Sequence, residues 1–291
     1  MSILPLVRTR TVGRFTVHAL DAGVQHLDGG AMFGVVPKPL WERRIAADER
    51  NRIPMAMRCL LVEHDDGLVL IDSGAGNKET EKFLSIYGIE NAGANGRTRL
   101  EDAIAAAGFS VDDVRVVVNT HLHFDHAGGN TARDASGAVV PSFPRARHVM
   151  HRGEYEYATH TNERTAASYF PNNFVVLADA GLVDFHDETR DIVPGIRYYA
   201  TPGHTPNHQS VLVDGGGEIA CFLADVMPTR HHVALPWIMG YDVEPLVTLE
   251  SKRRLHERAL AEDWLLIFEH DYDVAWGRLA REGKSVSLVV G

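Results

Sequence analysis

The eleven residues THLHFDHAGGN, from Thr120 to Asn130, restrict this chain more than any other stretch of it. Three histidines and an aspartate fall within the six positions from His121 to His126, directly after the run VRVVVN, and two glycines follow. Buried imidazole and carboxylate groups are costly without partners, so a set of them at the exit of an apolar strand calls for a shared partner. Alternation along an extended segment would place His121, His123 and Asp125 on one side, with Gly128 and Gly129 turning the backbone just beyond them. Imidazole and carboxylate without thiolate suit Zn²⁺ or a similar first-row divalent ion. One ion does not readily take all four groups from so short a segment, whereas two adjacent ions would share them.

Three more groups of the same kind stand where apolar runs end: His204 in ATPGHTPNHQS, Asp225 in CFLADVMP and His270 in LLIFEHDY. Strand ends converge on one rim of a sheet, so these complete a set of seven candidate ligands. A lone histidine is more often hydrogen-bonded or solvated than a ligand, and His186, His208, His231, His232 and His256 are read that way. Strand-like runs such as RFTVHALDAG, MRCLLVEHDDGLVLIDSG, DVRVVVNT and HQSVLVDGGGEIACFLADV alternate with helix-like ones such as RLEDAIAAAG and LVTLESKRRLHERALAEDW. That alternation predicts an α/β chain of sheets covered by helices, and the turn signals HDDG and VDGGGE predict that the sheets are mixed. Residues 28–57 break the pattern, and their Gly, Pro and aromatic content predicts a long structured loop or arm.

With 291 residues, 45% of them hydrophobic, the chain suffices for one large domain over 1–291. A formal net charge of −10 argues against a broad phosphate-binding surface and therefore against nucleic-acid partners. Only Cys59 and Cys221 occur, each inside an apolar run, which suits buried thiols in a reducing compartment. No run approaches the ~20 apolar residues that span a bilayer, and the first residues show no cleavage-site pattern. The expectation is a cytoplasmic protein without a membrane partner.

The run THLHFDHAGG, followed in order by GHT, AD and EHD, resembles the metallo-β-lactamase superfamily of dinuclear metallohydrolases. The resemblance implies a four-layer αββα sandwich with two zinc-type ions at one edge, cobalt or manganese serving as substitutes. It implies that His121, His123 and His204 hold the first ion, that Asp125, His126 and His270 hold the second, and that Asp225 bridges them. Asp225 at the bridging position disfavours the one-thiolate lactamases, and His123 disfavours the flavodiiron relatives, which carry Glu there. A glyoxalase II would need a helical C-terminal domain, yet only about twenty residues follow His270. A tRNA-processing nuclease of this fold would need a basic surface.

The segment VQHLDGGAMFGVVPKPLW, together with FLADVMPT and FEHD, looks like the YtnP-type quorum-quenching lactonases, a branch near the N-acyl homoserine lactone hydrolases. This second resemblance implies opening of a lactone ring, with the 28–57 arm near the mouth of the site. An organophosphate triester or a β-lactam is the alternative substrate of such a centre, and a metal-binding protein without catalysis is the remaining reading.

On the lactonase reading, hydroxide held between the ions attacks the lactone carbonyl, Asp225 keeps the ions together, and Asp125 relays a proton to the departing alkoxide. Asp72 is expected to accept from a ligand imidazole and fix its tautomer, and His208 to stand behind the ligands. Phe33, Trp41, Trp237 and Met239 are candidates for an apolar acyl pocket. The better-known lactone hydrolases of the superfamily carry a tyrosine shortly after the bridging aspartate, where this chain has Pro228 and Thr229. Tyr241, Tyr272 and His231 are candidates for that role, and the PKPLW stretch is equally suited to a homodimerisation arm.

Overall fold

A computed structural model describes residues 4–186, 191–283 and 285–291. The chain lays down β1 (Val7–Val12), β2 (Phe15–Asp28), β3 (Arg52–Glu63), β4 (Leu68–Ile71) and β5 (Val114–Val118) side by side. It then makes a separate hairpin of β6 (Thr131–Arg133) and β7 (Val139–Pro141), and returns to the first sheet with β8 (Arg147–His151) and β9 (Val183–His186). Pairing is antiparallel from β1 to β4 and parallel from β4 to β9.

The second sheet follows chain order: β10 (Asp191–Val193), β11 (Ile196–Ala200), β12 (Gln209–Asp214), β13 (Ile219–Phe222), β14 (Leu265–Ile267), β15 (Trp276–Glu282) and β16 (Ser285–Val290). Only β13 and β14 pair in parallel, and they are joined by a long helix as a parallel crossover requires.

The helices are α1 (Gly29–Phe33), α2 (Lys38–Trp41), α3 (Glu81–Tyr87), α4 (Arg99–Ala106), α5 (Phe124–Ala127), α6 (Arg152–Thr159), α7 (Val175–Asp179) and α8 (Pro245–Ala261). Period-2 alternation explains the layers they form. In β3 and β4, Leu60, Val62, Val69 and Ile71 face Val211, Val213 and Phe222 of the second sheet, while Cys59, Leu61, Leu68 and Leu70 face Leu100, Ala103 and Ile104 of α4. On the far side, Leu212, Cys221 and Leu266 meet Leu255 and Ala259 of α8. The result is the expected αββα sandwich with mixed sheets. Cys59 and Cys221 are both free and buried, in opposite outer layers.

The expected loop over 28–57 is shorter and more ordered than its composition suggests. Arg52 already begins β3, and the intervening segment carries α1 and α2. Asp28 caps α1 by accepting from the Ala31 N–H at 2.8 Å. The β15–β16 hairpin, which forms the edge of the second sheet, went unread in the sequence. Among the described residues, no helix is long and apolar enough to cross a membrane.

Candidate metal centre

Every candidate ligand stands just beyond a strand, at one rim of the sandwich. His121 and His123 follow β5, His204 follows β11, Asp225 lies in a 3-10 turn after β13, and His270 follows β14. The extended segment ends at His123, so Asp125 does not continue its alternation. The His126 and Ala127 N–H groups donate to the His123 carbonyl and wind α5, which carries Asp125 and His126. Nor do the glycines act by turning the chain. A Cβ on Gly129 would lie 2.0 Å from the Ser73 carbonyl oxygen, and one on Gly128 2.3 Å from that of Ala75. They let the ligand segment lie against the loop after β4, where the Ser73 N–H donates to the His126 carbonyl at 2.8 Å. Asp72 in that loop adopts a left-handed φ of 56°, as does Ala224 beside Asp225 at 47°.

Asp225 sits between two groups. Its Oδ2 is 3.0 Å from His204 Nε2 and 4.0 Å from His121 Nε2, and its Oδ1 is 3.0 Å from His270 Nε2 and 3.7 Å from His126 Nε2. Within the first group His204 Nε2 faces His123 Nδ1 at 3.0 Å, and within the second His270 Nε2 faces His126 Nε2 at 3.3 Å. Asp125 Oδ2 lies 3.7 Å from His270 Nε2 and 3.8 Å from His126 Nε2.

On His121, His126, His204 and His270 the opposite ring nitrogen is engaged, which turns these atoms inward. His204 Nδ1 donates to Asp242 at 2.9 Å and His270 Nδ1 to the Ala56 carbonyl at 2.7 Å. His126 Nδ1 lies 3.1 Å from both Asp72 and Glu269. The Thr120 hydroxyl donates to Asp72 at 2.7 Å and accepts from His121 Nδ1. His208 stands one layer back, its Nε2 accepting the Asp225 backbone N–H at 3.1 Å. Asp72 and His208 were singled out in the sequence; Asp242, Glu269 and Gln25, which donates to Asp125, were not. Glu269 stood in plain view beside His270, but nothing local says that its side chain points back to His126.

The electrostatics fit divalent cations. Burial, reinforced by neighbouring imidazoles, holds His121 and His123 well below the usual histidine range, so they present lone pairs. Burial also opposes protonation of His204 and His270, but Asp225, joined by Asp242 at His204 and by Glu269 and Asp125 at His270, outweighs it and raises them to about 10 and about 9. Asp225 itself is held well below the carboxylate range, since the surrounding histidines outweigh the burial that would raise it. Among the described residues, the ion-pair partners of Asp72, Asp125, Asp225 and Asp242 are all histidines. His121 Nε2 and Asp225 Oδ1 are buried without a hydrogen-bond partner among the described residues. The nitrogen and oxygen donors, grouped as His121, His123, His204 and Asp225 beside Asp125, His126 and His270, could hold metal ions.

The model of the Metallo-beta-lactamase superfamily matches residues 56–270. The chain belongs to that superfamily. It is a metal-dependent hydrolase. It is 28% identical over 224 residues to an N-acyl homoserine lactonase of Bacillus sp, covering 74% of this chain and 81% of the lactonase. A probable metal-dependent hydrolase from Staphylococcus aureus superposes with a TM-score of 0.86 at 28% identity, covering 97% of this chain and 99% of that one. The dizinc quorum-quenching lactonase AidC shares the fold at 19% identity, with a TM-score of 0.79 over 98% of this chain and 97% of its own.

In this member of the superfamily, a cavity of about 380 Å³ opens over the site, and His123, Asp125, His204, Asp225 and His270 lie at its floor. Leu27, Met32, Met239, Tyr241 and Val243 supply much of its wall, joined by Tyr87 and Arg164, which sequence reasoning missed. Phe33 and Trp41 are 0% and 1% exposed and do not line the cavity. Their rings stack at 5.4 Å, and Trp237 meets Phe33 edge-on at 5.5 Å. They form the small core that fixes the arm, reaching the cavity through their neighbours Leu27, Met32 and Met239. Tyr272 borders a separate hollow beside Asp21 and Arg99, and His231 lies in the turn Arg230–Val233.

Proposed function

We propose that the seven side chains hold two divalent ions, zinc foremost with cobalt or manganese as substitutes, and that the centre opens the ring of N-acyl homoserine lactones. The observation that carries this reading is Asp225, facing one histidine group with each oxygen, in a chain 28% identical to a Bacillus N-acyl homoserine lactonase. Bound ions supply Lewis acidity and lower the pKa of water from ~15.7 towards ~7, which makes hydroxide available at neutral pH. The protein's part is to place the charges. Asp225 would supply the negative charge that such ions need, and the groups behind His121, His126, His204 and His270 would keep those rings in the tautomer that points a lone pair inward. Asp125, at the cavity floor, takes the proton released from the attacking water and returns it to the alkoxide of the opened ring. The acyl chain lies along Leu27, Met239 and Val243.

The chain acts as one domain over 1–291, since a single core joins the two sheets. Its net charge of −10 favours a small uncharged substrate over an anionic one. It works in the cytoplasm, and Val35 and Leu40 on the arm, 92% and 50% exposed, suit contact with a second copy. The test is an initial-rate panel on zinc-loaded protein, with several acyl homoserine lactones set against paraoxon and nitrocefin. Lactones should be opened to hydroxy acids with release of about one proton per turnover. Efficient turnover of the phosphotriester or the β-lactam with the lactones left intact would overturn the reading.

A further inference from the structure

Glu154 of α6 belongs to none of the ligand-bearing segments, yet two of them end on its carboxylate. The side chain is 1% exposed. Its Oε1 accepts the Leu122 N–H at 3.2 Å and the Tyr169 hydroxyl at 2.9 Å, and its Oε2 accepts the Thr205 hydroxyl at 2.7 Å. Leu122 separates His121 from His123, and Thr205 follows His204. The Tyr169 ring meets the His123 ring edge-on at 4.7 Å. Each histidine of the first group therefore has a neighbour fastened to one buried carboxylate. That carboxylate offers nothing to the second group, which leans on Asp72, Glu269, Gln25 and the Ala56 carbonyl instead. A carboxylate so buried is retained only if its hydrogen bonds are worth more than its lost hydration, and here all three of them go to the frame of one half of the site.

We propose that Glu154 is a positioning residue that sets the spacing of His121, His123 and His204, and so the affinity of the first ion site, without touching an ion. This rests on the two-ion reading given above. Two loops from different sheets must hold three ring nitrogens at fixed distances, and a small displacement of either loop spoils the set.

Chelator-stripped protein titrated with Co²⁺, followed by calorimetry and by visible d–d absorption, tests the proposal. The wild type should bind two ions. Glu154→Leu should keep one ion at wild-type affinity and bind the other roughly 10- to 100-fold more weakly. Placed in a His270→Ala background, where only the first group remains whole, it should lower the remaining affinity by the same factor. Glu154→Gln should restore binding to within a few-fold, since its carbonyl still accepts from Leu122 and Tyr169 and its amide donates to the Thr205 oxygen. Should Glu154→Leu fail to fold, Thr205→Val and Tyr169→Phe each remove one bond and leave the carboxylate in place, and each should weaken the first ion to a smaller degree. Two ions bound as tightly as in the wild type, or both weakened equally, would overturn the proposal. A wild type that takes up no Co²⁺ overturns the two-ion reading itself.

Discussion

Gln25 of β2 donates its side-chain N–H to Asp125 Oδ2 across 2.5 Å, from a position fully closed to solvent. Its own carbonyl oxygen has no hydrogen-bond partner among the described residues, so the amide contributes only to Asp125. Gln25→Leu should leave the fold intact and weaken the second ion by about 10- to 100-fold. Competition with a chromophoric chelator measures this, and unchanged affinity would mean that α5 alone orients Asp125.

Asp225→Asn keeps the volume of the bridging side chain and removes the charge that both ions would share. Activity should fall on the order of a hundredfold or more, while circular dichroism and the thermal midpoint of the metal-free protein change little. Full activity at saturating zinc would contradict the bridge.

Gly129→Ala tests the close approach of the ligand segment to the loop after β4. With a carbonyl oxygen 2.0 Å from the new methyl group, one backbone must move, and we expect a loss on the order of 3 kcal/mol in urea unfolding together with poorer retention of metal. A fully stable, fully metallated variant would show that the two loops can part freely.

His148 of β8 is buried with neither ring nitrogen hydrogen-bonded among the described residues, and burial lowers its pKa to about 4. The unfolded chain binds this proton below ~6.5 and the folded one only below about 4, so stability is complete above pH 6.5 and declines as the pH falls between those values. The full decline amounts to about 3 kcal/mol. His148→Leu should be less sensitive to acid in that window, and parallel pH profiles of the two proteins would refute the assignment.

Met239 is 4% exposed at the cavity wall. On the lactonase reading, each buried methylene adds up to ~0.8 kcal/mol, so longer acyl chains should be preferred. Met239→Ala should then lower kcat/KM for decanoyl substrates about 3- to 10-fold more than for butanoyl ones. An equal loss for both lengths would place the acyl chain elsewhere.

The candidate ligand stretch stood out because its groups are neighbours in the chain, and the structure brings them to one rim with His204, Asp225 and His270. Sheets covered by helices were legible as well, since apolar strand-like runs such as β3, β4, β12 and β13 alternate along the chain with helix-like ones, while the four-layer order came from the family resemblance. His204, Asp225 and His270 could be proposed only because each ends an apolar run. The aromatic residues of the arm misled: Phe33 and Trp41 suggested a pocket, and they close on Trp237 instead.

The sequence by itself determined most of the core strands, the helices α4 and α8, and which residue types stand at the strand ends, though not the arm helices or the β15–β16 hairpin. Local sterics and the partition of side chains between water and core act over a few residues, and a linear pattern records them. Only the tertiary structure decided that Glu154 joins Leu122 to Thr205, that Asp242 backs His204, and that Gln25 reaches Asp125. Those pairs are 32 to 100 residues apart and belong to different elements. Their hydrogen bonds exist because strand pairing within each sheet and the packing of one sheet on the other bring them within 3.2 Å, and no period in the chain encodes those pairings.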